Sequence, residues 1–101
     1  MAAFTYEHLR VDFDDRVLMH LQHVIYNKLR RGESMAFTWP DDDGGGRMGV
    51  WLHPAATVIF EVAGGTILDL NRGWLDKLAV VANSPTGLHV IPELGADDKL
   101  G

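Results

Sequence analysis

The chain has 101 residues and a formal net charge of −5, and 47% of its residues are hydrophobic. This composition is that of one ordinary globular domain. There is no cysteine, which excludes disulfides, thiolate metal sites and cysteine nucleophiles. No apolar run approaches the roughly 18 residues that a membrane span needs. No basic stretch followed by an apolar one indicates a signal peptide, so we expect a cytoplasmic protein without a membrane partner.

The first predicted elements are a short extended segment and a long amphipathic helix. Apolar residues alternate over residues 3–12, which predicts a strand or a tight hairpin through Glu7-His8. The helix runs from Phe13 to Gly32, with Asp14 or the earlier Asp12 as its N-cap, and the final glycine ends it in a left-handed conformation. At 100° per residue its apolar side chains fall within an arc of about 140°, a core-facing stripe. They are Val17, Leu18, Leu21, Val24, Ile25 and Leu29.

Four more strands and a second helix are predicted after this helix. Alternation and turn residues predict strands over 35–39, 48–53, 57–62 and 88–91, and helical periodicity after the cap Asn71 predicts a helix over 71–83. The loop 41–46 joins the first two of these strands into a long hairpin. The connection 54–56 is short enough for a second antiparallel turn.

This order predicts an α+β fold, ββαβββαβ or a close variant. Consecutive strands favour one antiparallel sheet of about five strands, with both helices packed on one face. We expect a single domain over residues 1–92 and a flexible acidic tail over residues 93–101. The predicted core places Leu21 and Ile25 against Phe37, Val58 and Phe60.

The opposite side of the first helix is basic, and it supplies most of the candidate binding residues. The segment carries four positive charges, from Arg16, Lys28, Arg30 and Arg31, and no acidic residue between the first and last of them. His20 and His23 lie on the same side. One interpretation is a solvated face that compensates the helix dipole. The other is a surface that binds an anion or a partner, to which Arg47 and His53 are added as further candidates.

Neither a metal nor a cofactor is expected. His20 and His23 stand three residues apart, a spacing that can hold zinc, but a zinc site needs at least a third ligand. The run Asp41–Gly46 lacks the glutamate that an EF-hand loop has at its twelfth position, where Leu52 stands. No catalytic constellation is recognisable, so we expect no enzyme activity.

Several motifs together resemble those of one small family of uncharacterised actinobacterial proteins of about this length. They are Phe13-Asp14-Asp15-Arg16, His20-Leu21-Gln22, Lys28-Leu29-Arg30-Arg31-Gly32-Glu33-Ser34, Gly46-Arg47, Trp51-Leu52-His53-Pro54, Leu70-Asn71-Arg72 with Trp74, and Ala82-Asn83-Ser84 through Gly87-Leu88 to Pro92-Glu93. The resemblance covers nearly the whole chain. Members often carry an automatic label as ATP-dependent DNA ligases or ligase-associated proteins. None of the three lysines here starts the Lys-x-Asp-Gly sequence of a ligase, so the resemblance implies at most an accessory link to DNA metabolism.

Two functions are therefore expected, in order. The first is a non-catalytic interaction module that binds a protein partner and is itself a homo-oligomer, with Met19 and Tyr26, or Trp39 and Trp51, at the subunit contact. The second, less favoured, is a DNA- or nucleotide-binding accessory protein. A nucleic-acid binder should bring Arg47 next to the basic end of the helix.

Overall fold

The computed structural model of the chain describes residues 2–40, 45–62 and 69–93. Its elements are β1 (Ala2–Tyr6), β2 (Leu9–Phe13), α1 (Asp15–Arg30), β3 (Met35–Pro40), β4 (Arg47–Leu52), β5 (Val58–Glu61), α2 (Arg72–Ala82) and β6 (Leu88–His89). The predicted α+β class and the order ββαβββαβ are confirmed, as is the tight first hairpin, in which Glu7 takes a φ of 55°. Most of the predicted acidic loop and all of the tail after Glu93 lie outside the described residues.

The predicted single sheet is wrong, because the strands form two sheets of three. The first has the order β2-β1-β5 and the second the order β4-β3-β6. The connection 54–56 does not make an antiparallel turn between β4 and β5. It carries the chain to the other sheet, where β5 pairs antiparallel with β1 and Phe60 lies opposite Phe4. In the second sheet β6 runs parallel to β3, which the helical crossover through α2 allows.

Aromatic side chains join the two sheets. Phe4 of β1 meets Phe37 of β3 edge to face, with ring centroids 5.5 Å apart, and Phe13 approaches Trp39 at 6.1 Å. Such edge-to-face pairs add to the free energy gained from burying the rings themselves. Trp39, expected at a subunit contact, is instead 4% exposed and belongs to this core.

The helices complete the core. Leu21 and Ile25 are buried as predicted, as is Phe37, while Val58 and Phe60 are half-buried and pack against the same cluster. Helix α1 contacts β1, and α2 contacts α1, β6 and β3. The contact between the two helices positions the candidate functional site.

Candidate binding groove between the helices

Both ends of α1 are fixed by local chemistry that the sequence predicts. The carboxylate of Asp14 accepts hydrogen bonds from two amides of the first turn, which confirms it as the N-cap. Gly32, with a φ of 76°, follows the helix and closes it. These ends place Lys28, Arg30 and Arg31 in or beside the last turn, where the helix dipole favours positive charge.

His20 is not on the surface, which corrects the sequence-based assignment. Its residue exposure is 0%, and its ring lies 4.4 Å from the ring of Trp74. Nδ1 donates to the carbonyl oxygen of Arg16 at 2.8 Å, and Nε2 accepts from the backbone N–H of Asn71 at 2.8 Å. Because one nitrogen donates and the other accepts, the neutral ring satisfies both partners. The wheel misplaced this side chain because α2 covers that part of α1.

Arg16 is tied to the end of the described chain. Its Nε and Nη2 atoms donate to both carboxylate oxygens of Glu93 at 2.7 Å, and Nη1 donates to the carbonyl oxygen of Asp69 at 2.8 Å. The bonds from Arg16, and then one from Asn71, lower the pKa of Glu93 to about 2. The same ion pair raises the pKa of Arg16. Arg16 therefore braces the fold, and the tail expected from residue 93 starts at an anchored side chain.

A groove of about 450 Å³ lies between α1 and α2 beyond this network. Its volume is in the range of ligand-binding clefts. Apolar side chains from both helices form part of its lining, namely Val24, Leu75, Ala79 and Ala82. Four cations also line it, namely Lys28, Arg30, Arg31 and Arg72. An apolar surface bordered by cations suits a ligand that combines apolar and anionic groups.

The four cations differ in how far their charge is already paired. Lys28 is 9% exposed, and its Nζ lies 2.9 Å from Glu33 and 2.8 Å from the side-chain oxygen of Asn83. The hydrogen bond from Lys28 is the main cause of the lowered pKa of Glu33. Arg31 also approaches Glu33, at 3.5 Å. One carboxylate is thus shared by two cations.

Arg30 and Arg72 keep their charge available. Arg30 is exposed and donates to the neutral side chain of Asn27 at 2.7 Å. Arg72 is exposed and has no ion-pair partner among the described residues. Counting Asp76 in the groove and Glu33 beside it, four positive charges face two negative ones, a local excess of two in a chain of net charge −5.

Arg47 and His53 do not join this groove. Arg47 pairs with Pro40 at the end of the β3–β4 hairpin, about 17 Å along the strand from the start of β3, which follows the last turn of α1. Its Nη2 donates to the hydroxyl of Thr38 at 3.0 Å. His53 is exposed and accepts a hydrogen bond from the backbone N–H of Ala55 at 3.0 Å, which fixes the turn after β4.

The groove brings together half of the candidate residues, namely His23, Lys28, Arg30 and Arg31. Sequence reasoning missed Arg72, Asp76 and Asn83, which also line it. The first two stand four residues apart on the polar side of α2, and this spacing could have marked a shared helix face. No sequence signal indicates that this face turns towards α1.

The described residues give no support for a metal site or for a membrane-spanning helix. No group of three or more His, Asp or Glu side chains there could hold a metal ion. In the same part of the chain, neither helix is long and apolar enough to cross a bilayer.

These features define an α+β protein with a basic groove between its helices. The family model described as Domain of unknown function (DUF7882) matches residues 1–93, and the chain belongs to this family. Comparison with curated proteins and with solved structures gives no match.

Proposed function

We propose that the protein is a non-catalytic interaction module whose groove between α1 and α2 binds an acidic segment of a partner protein. The observation that carries this proposal is the composition of the groove, an apolar lining with an excess of two positive charges. Partner segments that pair acidic with apolar residues match both properties. Amphipathic helices commonly bind in grooves of this kind.

The exposed guanidinium groups supply the contacts to partner carboxylates. Arg30 and Arg72 come from different helices and border the same groove. Guanidinium groups bind carboxylates through two parallel hydrogen bonds, which orients the bound segment. The ammonium group of Lys28 is already paired with Glu33, so Lys28 contributes positive potential and no direct contact to the partner.

The alternative is the DNA- or nucleotide-binding accessory role that the family resemblance implies. The same cations would contact phosphates in that case. One observation favours a protein partner for the groove instead: Arg47 lies at the far end of its hairpin, so it adds no charge to the cations of the groove. An apolar lining also has no use in contacts to a phosphate backbone.

Peptide selection followed by mapping tests the proposal. A display library of random peptides is selected on the protein, and a selected peptide is titrated into isotope-labelled protein by NMR. We expect acidic peptides with apolar residues, and shifts confined to groove residues. Arg30→Ser with Arg72→Ser should weaken binding by about five- to twentyfold, since exposed ion pairs each contribute little. Arg10→Ser removes an exposed arginine of the first sheet and should leave peptide binding unchanged.

Three results would refute this function. They are selected peptides without acidic residues, shifts that map elsewhere, and equal losses for the Arg10 control and the double variant. A short DNA duplex is titrated in parallel. Duplex binding whose log K falls by about 0.9 per unit of log salt for each phosphate, and which the double variant weakens, would support the alternative instead.

A further inference from the structure

The outer face of the second sheet carries a separate set of side chains that the groove does not use. Side chains alternate between the two faces of a strand. Phe37 points into the core, so its neighbours along β3 point to the outer face, as do the residues that pair with those neighbours. Register places Trp51 beside Ala36, Gly49 beside Thr38, and Thr38 beside His89 of β6. Arg47 lies on the same face, at the end of the sheet. We call this surface the outer platform, formed by Ala36, Thr38, Arg47, Gly49, Trp51 and His89.

Trp51 is the largest exposed side chain of the platform. It is 61% exposed, whereas Trp39 and Trp74 are each 4% exposed. Its backbone carbonyl oxygen accepts a hydrogen bond of 2.6 Å from the hydroxyl of Tyr6, which links the strand to the first sheet. Its neighbour across the strand pair is Ala36, which is too small to cover an indole. The ring is therefore open for another flat group to stack on it.

Two glycines keep the area beside Trp51 flat. A Cβ added to Gly49 would lie 3.1 Å from the Cγ2 atom of Thr38. A Cβ added to Gly87 would lie 2.5 Å from the carbonyl oxygen of Ala36, and this glycine has a φ of 82°. Close packing against β3 thus favours glycine at position 49 and requires it at position 87. The result is a floor of small residues next to an exposed aromatic ring.

The charge of the platform is positive. The guanidinium of Arg47 is held at 3.0 Å by the hydroxyl of Thr38, next to the floor, and His89 flanks the same threonine on the other side. The platform, as the described residues define it, contains no acidic side chain. A second copy of the same face would bring cation against cation. An anionic ligand with a flat ring is complementary instead.

We infer that the outer platform binds a segment of single-stranded nucleic acid, with a base stacked on Trp51 and a neighbouring phosphate on Arg47. The two residues stand four apart on β4, about 13 Å between Cα atoms, and the bond to Thr38 draws the guanidinium back towards the floor. Open sheet surfaces with exposed aromatic rings stack successive bases, whereas free small molecules are usually enclosed in concave pockets. Duplex DNA keeps its bases inside and cannot stack in this way.

Tryptophan fluorescence tests this inference directly, because Trp51 is the most exposed of the three indoles. The protein is titrated with an eight-nucleotide thymidine oligonucleotide at low salt, and binding is followed both by quenching and by anisotropy of a labelled copy. We expect quenching in the wild type. Trp51→Ala should remove the quenching and weaken binding about five- to hundredfold, and Trp51→Phe should retain part of the affinity. Ile59→Ala, at another exposed apolar residue of the other sheet, should change neither.

Salt dependence tests the phosphate contact. For one or two phosphates, log K should fall by about 0.7 to 1.4 per unit of log salt, and Arg47→Ala should reduce that slope by about 0.7. Arg10→Ala is the matched control for loss of an exposed arginine. Three results would overturn the inference: no binding at high micromolar protein, duplex bound as tightly as single strand, or free thymidine monophosphate bound as tightly as the oligonucleotide. Because these variants leave the groove intact, failure here does not bear on the proposed function.

Discussion

Replacing His20 by Ala tests the buried position that corrects the sequence analysis. The change removes a side chain of 0% exposure whose ring lies tilted against the ring of Trp74, with the two centroids 4.4 Å apart. It also removes the hydrogen bond from the backbone N–H of Asn71 to His20. Deleting a buried aromatic ring and losing a part-buried hydrogen bond together cost about 3–5 kcal/mol. For 101 residues the unfolding entropy is about 0.2 kcal/mol per degree, so Tm should fall by about 15–25 °C.

The matched control is His23→Ala, one helical turn further along α1. His23 is exposed, so its loss should change the free energy of unfolding by no more than about 0.5 kcal/mol. His20→Phe keeps a ring against Trp74 but loses the two hydrogen bonds. Its loss of unfolding free energy should therefore lie between those of His20→Ala and His23→Ala. Thermal and urea unfolding followed by circular dichroism measure all three. If His20→Ala melts within about 3 °C of His23→Ala, the assignment of His20 to the interface between the helices is refuted.

Three further outcomes are expected. Leu21→Ala should lower the free energy of unfolding by about 2–5 kcal/mol, since this side chain is 1% exposed, and urea unfolding measures the loss. The pKa of Glu93 is lowered from 4.5 to about 2, so its ion pair with Arg16 stabilises the fold fully above pH 4.5 and progressively less as the pH falls towards 2. Glu93→Gln should therefore flatten the decline of Tm between these pH values, and an unchanged decline would contradict it. We also propose a homodimer in contact through the exposed Tyr26 and the edge strand β5, which a concentration-independent monomer mass by light scattering would exclude.

The local elements could be predicted from the sequence alone. Helix α1 was predicted from its apolar stripe, the cap at Asp14 and the glycine at position 32, and α2 from its cap at Asn71. These features depend on residues within about one helical turn of each other, so the local sequence is enough to predict them. The same is true of the first hairpin, whose turn closes over two residues.

The pairing of the strands into sheets and the composition of the groove depend on contacts between distant parts of the chain. Whether β5 pairs with β4 or with β1 depends on which partner buries Phe60 beside Phe4, and no local pattern distinguishes the two. The bond between His20 and Asn71 spans 51 positions, and that between Arg16 and Glu93 spans 77. A helical wheel identifies a polar face, but it contains no information about a second helix packing on that face. For this reason His20 became part of the core, and Arg72 became part of the groove.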